Sequence, residues 1–310
     1  MARFRSKLPQ LESTPFLGMC GFETTMIFLE GIDIPEFAAF VLLKKPEGEN
    51  TLREFYRQNL AIAAEFNLGM VLETATWRAN LDWARKLNCS ETELREVIRK
   101  AVKLHCEVRA ETPSIPVVIS GCIGPRGDGY TIGEVMTAEE SMNYHEFEIG
   151  AFAETSVDLL TTATLTYAAE ATGIVYAAQR YNLPVAVSFT VETDGRLPSG
   201  ETLEAAIQQV DQATQSYPSY YLVNCAHPSH FSSLLLAGGQ WTQRIRGIRV
   251  NASRKSHAEL NECSELDSGS PEDLANEVMA LRQALPGLTV LGGCCGTDYR
   301  HIRALAKRLV

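Results

Sequence analysis

Eight short apolar runs recur along the chain: FLGMCGF (16–22), LGMVLET (68–74), VVISG (117–121), VDLLTT (157–162), PVAVSFT (184–190), YYLVNC (220–225), IRGIRVN (245–251) and LTVLGG (288–293). They are largely continuous rather than alternating, and Gly, Pro or polar residues bound them. A strand wetted on one face alternates with period two, so continuous runs mark strands buried on both faces, as in a parallel sheet. Stretches with helical patterning lie between them. The mean spacing of about 39 residues suits one strand, one helix and two loops, and eight such units fill a (β/α)8 barrel. An open doubly wound sheet would carry a Gly-rich dinucleotide turn after its first strand, and GMCGFE is not one. The expected fold class is α/β, a single (β/α)8 TIM barrel over residues 1–310, with a short N-terminal extension of about residues 1–14.

Local signals set the helix starts. Ser90-Glu91-Thr92-Glu93 and Thr137-Ala138-Glu139-Glu140 read as capping boxes, in which hydroxyl and carboxylate satisfy exposed backbone donors reciprocally. Ser270-Pro271 supplies an N-cap with proline at the first helical position, and Pro286-Gly287 punctuates the far end. Thr297 is expected to cap the last helix.

Composition removes several function classes. The net charge is −10 with no long Lys/Arg block, so no nucleic-acid partner is expected. The longest apolar run, Phe37 to Leu43, is far short of a membrane span. MARFRSKLPQ is basic, but no apolar region follows it, so a signal peptide is not expected. Cysteines 20, 89, 106, 122, 225, 263, 294 and 295 follow no disulfide framework, which points to reduced thiols in a cytoplasmic setting. The sequence is compatible with a homo-oligomer.

The chemistry concentrates at Leu291-Gly292-Gly293-Cys294-Cys295-Gly296-Thr297-Asp298. In a barrel, strand C-terminal ends carry the site. Cys225 ends the sixth run, and Cys294 with Cys295 ends the eighth, two strands away on the rim. Adjacent side chains on a regular strand point to opposite faces. With Gly292, Gly293 and Gly296 free to take unusual dihedrals, both could turn to one point. Three thiolates at one point repel unless a cation holds them, and Zn²⁺ suits sulfur and tetrahedral coordination. Three protein ligands leave one position open, as in catalytic zinc sites. The alternative is that the pair is two small buried hydrophobes. His227 and His230 with Cys225 would make a different set, which the glycines around the pair disfavour.

These residues carry a resemblance. VNCAHP followed about seventy residues later by GGCCG resembles the zinc signature of the homocysteine S-methyltransferase family, whose fold is a (β/α)8 barrel. Gly21-Phe22-Glu23-Thr24 resembles part of its first-strand glycine motif, and Leu72-Glu73-Thr74-Ala75-Thr76-Trp77 its second-strand motif. Gly121-Cys122-Ile123-Gly124-Pro125 resembles the third-strand G-x-x-G-P, and Val157-Asp158-Leu159-Leu160 the entry to the fourth. The resemblance implies Cys225, Cys294 and Cys295 as zinc ligands. It also implies methyl transfer from a sulfonium or quaternary ammonium donor to a thiol, with a homocysteine-like acceptor and methionine as product. Its partners are then a small-molecule thiol and a methyl donor. No separate folate or cobalamin module is expected. Two positions depart from the pattern: Met19 stands at the family's first-strand aspartate, and Ala163 at the fourth-strand glutamate, both of which hold the acceptor's amine.

Other candidates follow the strands. Glu23 is the acid nearest the altered first-strand motif. Thr74, Asn251, Ser253 and Arg254 are candidate substrate contacts, Arg254 or Lys255 as charge partner for a carboxylate. Arg126-Gly127-Asp128-Gly129 and Glu192-Thr193-Asp194-Gly195-Arg196 are loops on the catalytic side, read as substrate contacts at most. Cys89, Cys106, Cys122 and Cys263 are read as packing or surface residues. Because of Met19 and Ala163, the leading function stands beside two others: the same zinc chemistry on a different thiol or in the demethylating direction, and a non-catalytic barrel that binds zinc or a small ligand.

Overall fold

The computed structural model describes residues 1–261 and 265–310, so Cys263 lies outside the described residues. Each apolar run contains a strand: β1 Phe16–Leu17, β2 Gly69–Glu73, β3 Val117–Ile123, β4 Leu159–Thr162, β5 Val185–Phe189, β6 Tyr220–Ala226, β7 Ile245–Val250 and β8 Val290–Gly293. All pair in parallel in chain order, and β1 also pairs with β8 (Phe16 opposite Val290), which closes the barrel. β1 itself is short, but backbone bonding to β8 runs on past it through Gly18, whose N–H donates to the Leu291 carbonyl at 2.8 Å. There the two closing backbones nearly touch: a Cβ on Gly292 would lie 2.8 Å from the Gly18 Cα.

One long helix follows each strand: α1 Pro46–Glu65, α2 Glu91–Glu111, α3 Ala138–Ala153, α4 Ala168–Arg180, α5 Leu203–Thr214, α6 Pro228–Ala237, α7 Pro271–Ala284 and α8 Tyr299–Leu309. Both expected capping boxes form, at Ser90 with Glu93 and at Thr137 with Glu140, and the Ser270 side chain caps α7. The last helix is capped differently from expectation. Asp298 is its N-cap, accepting from the Arg300 N–H at 2.8 Å. The Thr297 hydroxyl is already committed: it donates to the Cys294 carbonyl at 2.7 Å and accepts from the Gly21 N–H at 2.9 Å.

The barrel interior changes character along its axis. Its lower layer is apolar, built from residues at strand starts such as Phe16, Val71, Val118, Leu159 and Val290. The N-terminal segment closes that end, with Leu8, Phe4 and Leu11 packed on the same cluster. Asp158, fully buried beside Arg109 at 2.6 Å, accepts from the backbone N–H groups of Arg3 and Phe4 and fixes the segment. Toward the C-terminal ends the interior turns polar: Ser120 meets Thr161 at 2.6 Å, and the Ser188 hydroxyl donates to Asn224 Oδ1 at 2.6 Å. Buried polar side chains must find partners, and these find one another just below the site. Among the described residues no helix is long and apolar enough to cross a membrane.

Candidate metal centre

Cys225 reaches the barrel mouth through a break in β6. Asn224 faces the interior, so a regular strand would send Cys225 outward. The β6–β7 register shifts between Asn224 and Ala226, and Cys225 takes φ 56°, a left-handed conformation uncommon for a residue with a Cβ. The bulge turns its sulfur inward next to Asn224. Its carbonyl accepts from Asn251 Nδ2 at 3.0 Å and lies 2.7 Å from His257 Nε2, which hold the bulge in place.

Cys294 and Cys295 follow β8 in a turn fastened on both sides. The Cys294 N–H donates to the Val250 carbonyl at 2.8 Å, and the Cys295 carbonyl accepts from Ala252 N–H at 3.0 Å. Two of the three glycines act otherwise than expected. Only Gly296 has a left-handed dihedral, φ 79°. Gly293 is needed for space, since a Cβ there would fall 2.1 Å from Thr297 Oγ1. Gly21 in the loop after β1 is needed equally, because its Cβ would fall 2.3 Å from the Cys294 carbonyl oxygen.

The result is that the three sulfurs converge within 4.8 Å of one another, with Cys225 and Cys295 3.3 Å apart. Hydrogen bonds from Cys225 and Cys295 pull the Cys294 thiol well below its ordinary value, and the Arg249 charge adds to this. Tyr130 sits over the group. Its hydroxyl is 2.9 Å from the Cys225 sulfur and 3.7 Å from that of Cys295, and its ring packs on His257 at 4.4 Å. Burial first, then the neighbouring cysteine sulfurs, hold the phenol protonated. Three converging sulfurs with one thiolate already favoured are a donor set able to hold a soft metal ion.

Beside the sulfurs lies a cavity of about 310 Å³. Met19 and Ala163 both line it, bringing apolar side chains to the two positions from which carboxylates are missing. Glu23 lines it too, and burial raises its carboxyl to about 7. Thr74 faces it with its hydroxyl accepting from Cys122 N–H at 3.0 Å. Asn251 leaves its Oδ1 without a partner among the described residues, and the Ser253 hydroxyl donates to Asp267 at 2.7 Å. Cys122, read as packing, is also on the cavity wall, where burial keeps it a thiol. Asp128 reaches the rim, while Arg126 turns aside to Asp82 at 2.9 Å. Arg254 is corrected: its side chain is exposed, pairs with Glu277 on α7 and lies off the cavity wall. Glu192 stands behind the site at 3.3 Å from His257. His227 is spent capping α6 and His230 lies against the Arg254 carbonyl, so neither joins the sulfurs.

Four residues of the site went unread. Tyr130 lies in a loop and His257 opens a short helix, His257–Asn261, in the segment after β7; nothing in the sequence sets either side chain apart from its neighbours. Glu73 and Arg249 did leave a signal, a charge inside each of two apolar strand runs. They form a buried ion pair across the barrel floor of the cavity, Glu73 on β2 and Arg249 on β7.

Comparison with known proteins agrees with this geometry. The profile of the family described as homocysteine S-methyltransferase matches residues 21–309. The chain belongs to that family. It is thus an S-methyltransferase. Relatives include homocysteine S-methyltransferase 1 of Brassica oleracea var. italica, 24% identical, covering 93% of this chain and 91% of that one. A selenocysteine Se-methyltransferase from the same plant is 22% identical over 77% of this chain and 75% of its own. The metallated form of the Escherichia coli homocysteine methyltransferase MmuM superposes with a TM-score of 0.76 at 20% identity, over 95% of this chain and 96% of that one, which shows the shared fold.

Proposed function

We propose that this family member holds one zinc ion through Cys225, Cys294 and Cys295 and methylates the thiol of homocysteine, forming methionine, with a sulfonium or quaternary ammonium compound as methyl donor. The observation that carries this reading is the convergence of the three sulfurs within 4.8 Å at the mouth of the barrel, beside a cavity sized for a small amino acid. Zinc, when bound there, supplies an open position that favours the thiolate form of the acceptor sulfur at neutral pH.

The rest is done by the chain itself. Arg249 offsets negative charge at Cys294, and Tyr130 with His257 covers Cys225 from solvent. Glu23, Thr74, Asn251 and Ser253 line the cavity within reach of an acceptor, and we assign them to its binding. Methyl transfer between sulfur and an activated carbon is an in-line displacement that needs no general base once the thiolate exists, so positioning supplies much of the rate. A reducing, cytoplasm-like compartment keeps the three thiols available.

The test is metal analysis with a methyl-transfer assay on Cys225→Ala and Cys294→Ala. Each variant is expected to lose zinc at ordinary concentrations and at least about a hundredfold in kcat/KM, the order seen when a direct or supporting metal contact is removed. Full zinc retention with unchanged transfer overturns the proposal. Met19 and Ala163 favour one second reading, a different thiol acceptor, and a panel of thiols separates the two.

A further inference from the structure

Met19 and Ala163 leave the acceptor's amine without the acids that the family pattern supplies, yet the cavity is far from uncharged. Arg249 occupies a particular place in it. On β7 it pairs in register with Asn224 on one side and Gly292 on the other, so it stands between the strand ends that deliver Cys225 and Cys294. Among the described residues one corner of its guanidinium is used: Nη1 donates to Glu73. Nε is buried with no partner, and Nη2 donates to no atom of the described residues. The Nε–Nη2 edge is the edge that grips a carboxylate with two parallel bonds. A buried donor without a partner is unfavourable, and a ligand oxygen would relieve it.

Glu23 presents the complementary group. It lines the same cavity four residues after Met19 and pairs with no other side chain among the described residues. Its charge neighbours are Cys294, Arg249 and Arg78, so carboxylate, guanidinium and sulfur share one end of the cavity. The other arginine on the wall, Arg78, also has an unpaired Nε, but its two Nη groups are taken, so it has no free Nε–Nη2 edge. It donates to the Glu36 carbonyl, reaches Asp128 at 3.5 Å and stacks on Trp83 at 3.9 Å. Glu73 is balanced by Arg249, Asp128 lies beside Arg78, Asp267 accepts from Ser253 and the Gly269 N–H, and Glu265 is exposed to solvent. An arriving ammonium thus finds its shielded, unpaired acid in Glu23, and an arriving carboxylate finds unpaired donors on Arg249.

We infer that Glu23 and Arg249 read the amino-acid end of the acceptor as a zwitterion, Glu23 taking the ammonium and Arg249 the carboxylate, in place of the two missing acids on the first and fourth strands. This rests on the reading of homocysteine as acceptor. Both are specificity-determining residues and neither is a metal ligand.

The experiment crosses the two residues with the two groups of the ligand. Zinc-loaded protein without methyl donor is titrated calorimetrically with homocysteine, with 4-mercaptobutyrate, which lacks the amine, and with 3-aminopropane-1-thiol, which lacks the carboxylate. Glu23→Gln is expected to weaken homocysteine and the aminothiol by about tenfold or more and to leave 4-mercaptobutyrate within about twofold. Arg249→Lys, which keeps a charge beside Glu73 but loses the fork, is expected to weaken homocysteine and 4-mercaptobutyrate and to spare the aminothiol. If a variant fails to fold, the wild-type titrations still decide: both truncated thiols must bind at least about tenfold more weakly than homocysteine. Equal wild-type binding of all three, or variants that weaken all thiols alike or none, overturns the inference while leaving homocysteine as acceptor. Failure of every thiol to bind overturns the functional proposal with it.

Discussion

Single residues in this chain are held in states that ordinary solution chemistry would not give them. His145 on α3 is fully buried between two acids, its Nδ1 donating to Glu148 at 2.5 Å and its Nε2 to Glu170 on α4 at 3.1 Å. Burial alone would push the imidazole down, but hydrogen bonds to the two carboxylates outweigh it and raise it to about 9. Glu170 also accepts from the Arg126 N–H at 2.7 Å, so the cluster anchors the start of the loop that carries Tyr130. Because the folded value lies above the ordinary 6.5, the native state binds more protons than the unfolded state between about 6.5 and 9. The contribution of His145 is therefore complete below 6.5 and is lost as pH rises through 9. The thermal midpoint is expected to fall by several degrees over that window. In His145→Gln, lower at neutral pH, the fall should be visibly flatter; parallel curves for the two proteins would remove His145 from the explanation.

At the scale of elements, the strands and helix starts were legible and the turns between them were not. Eight apolar runs became eight strands because burial on both faces leaves a mark in every residue of the run, and the caps at Ser90, Thr137 and Ser270 formed because their hydrogen bonds are local. The metal turn was half legible. GGCCG and VNC pointed to the three sulfurs, but the device that turns Cys225 inward, a bulge with φ 56°, depends on β6 pairing with β7 and has no local signature. The role of Gly292 and Gly293 was misread for the same reason: their need is for space against Gly18 and Thr297, partners supplied by the closed barrel, whereas Gly296 takes the left-handed dihedral expected of it. Arg249 was a charge inside a strand, unreadable until Glu73 appeared opposite it. Gly21 tests this account of the turn. Gly21→Ala drives a methyl group against the Cys294 carbonyl, so it should destabilise the fold by roughly 1–3 kcal/mol and weaken metal binding with it. Chemical denaturation and a competitive zinc-chelator titration read the two effects. A variant with weakened stability but wild-type metal affinity would show that the turn adapts without moving the sulfurs.

The molecule as a whole separates the two tasks along the barrel axis. Its lower end is a plug, with the N-terminal segment seated on the apolar layer and tied to the buried Asp158 by two backbone hydrogen bonds, to Thr289 through the Gln10 carbonyl at 2.6 Å, and to Arg246 through the Leu11 carbonyl at 2.9 Å. The upper end carries the sulfurs, the cavity and the charged groups around it. Between them lies the hydroxyl-lined layer of Ser120, Thr161 and Ser188, in which Ser120 pairs with Thr161 and Ser188 with Asn224 on the cavity wall. Deleting residues 2–12 should therefore act on stability and spare the chemistry. Asp158 keeps Arg109 and the Ile119 N–H, so no buried charge is left bare. The loss is apolar packing at Leu8, Phe4 and Leu11, on the order of 1.5–3 kcal/mol for each side chain that was fully covered and less for the partly covered ones. The expected outcome is a clear fall in thermal midpoint, with zinc affinity within about twofold of the full chain when both are measured well below that midpoint. A truncated protein that loses zinc affinity in step with stability would mean that the barrel floor helps to set the positions of Cys225 and Cys294, and that the two ends are mechanically one.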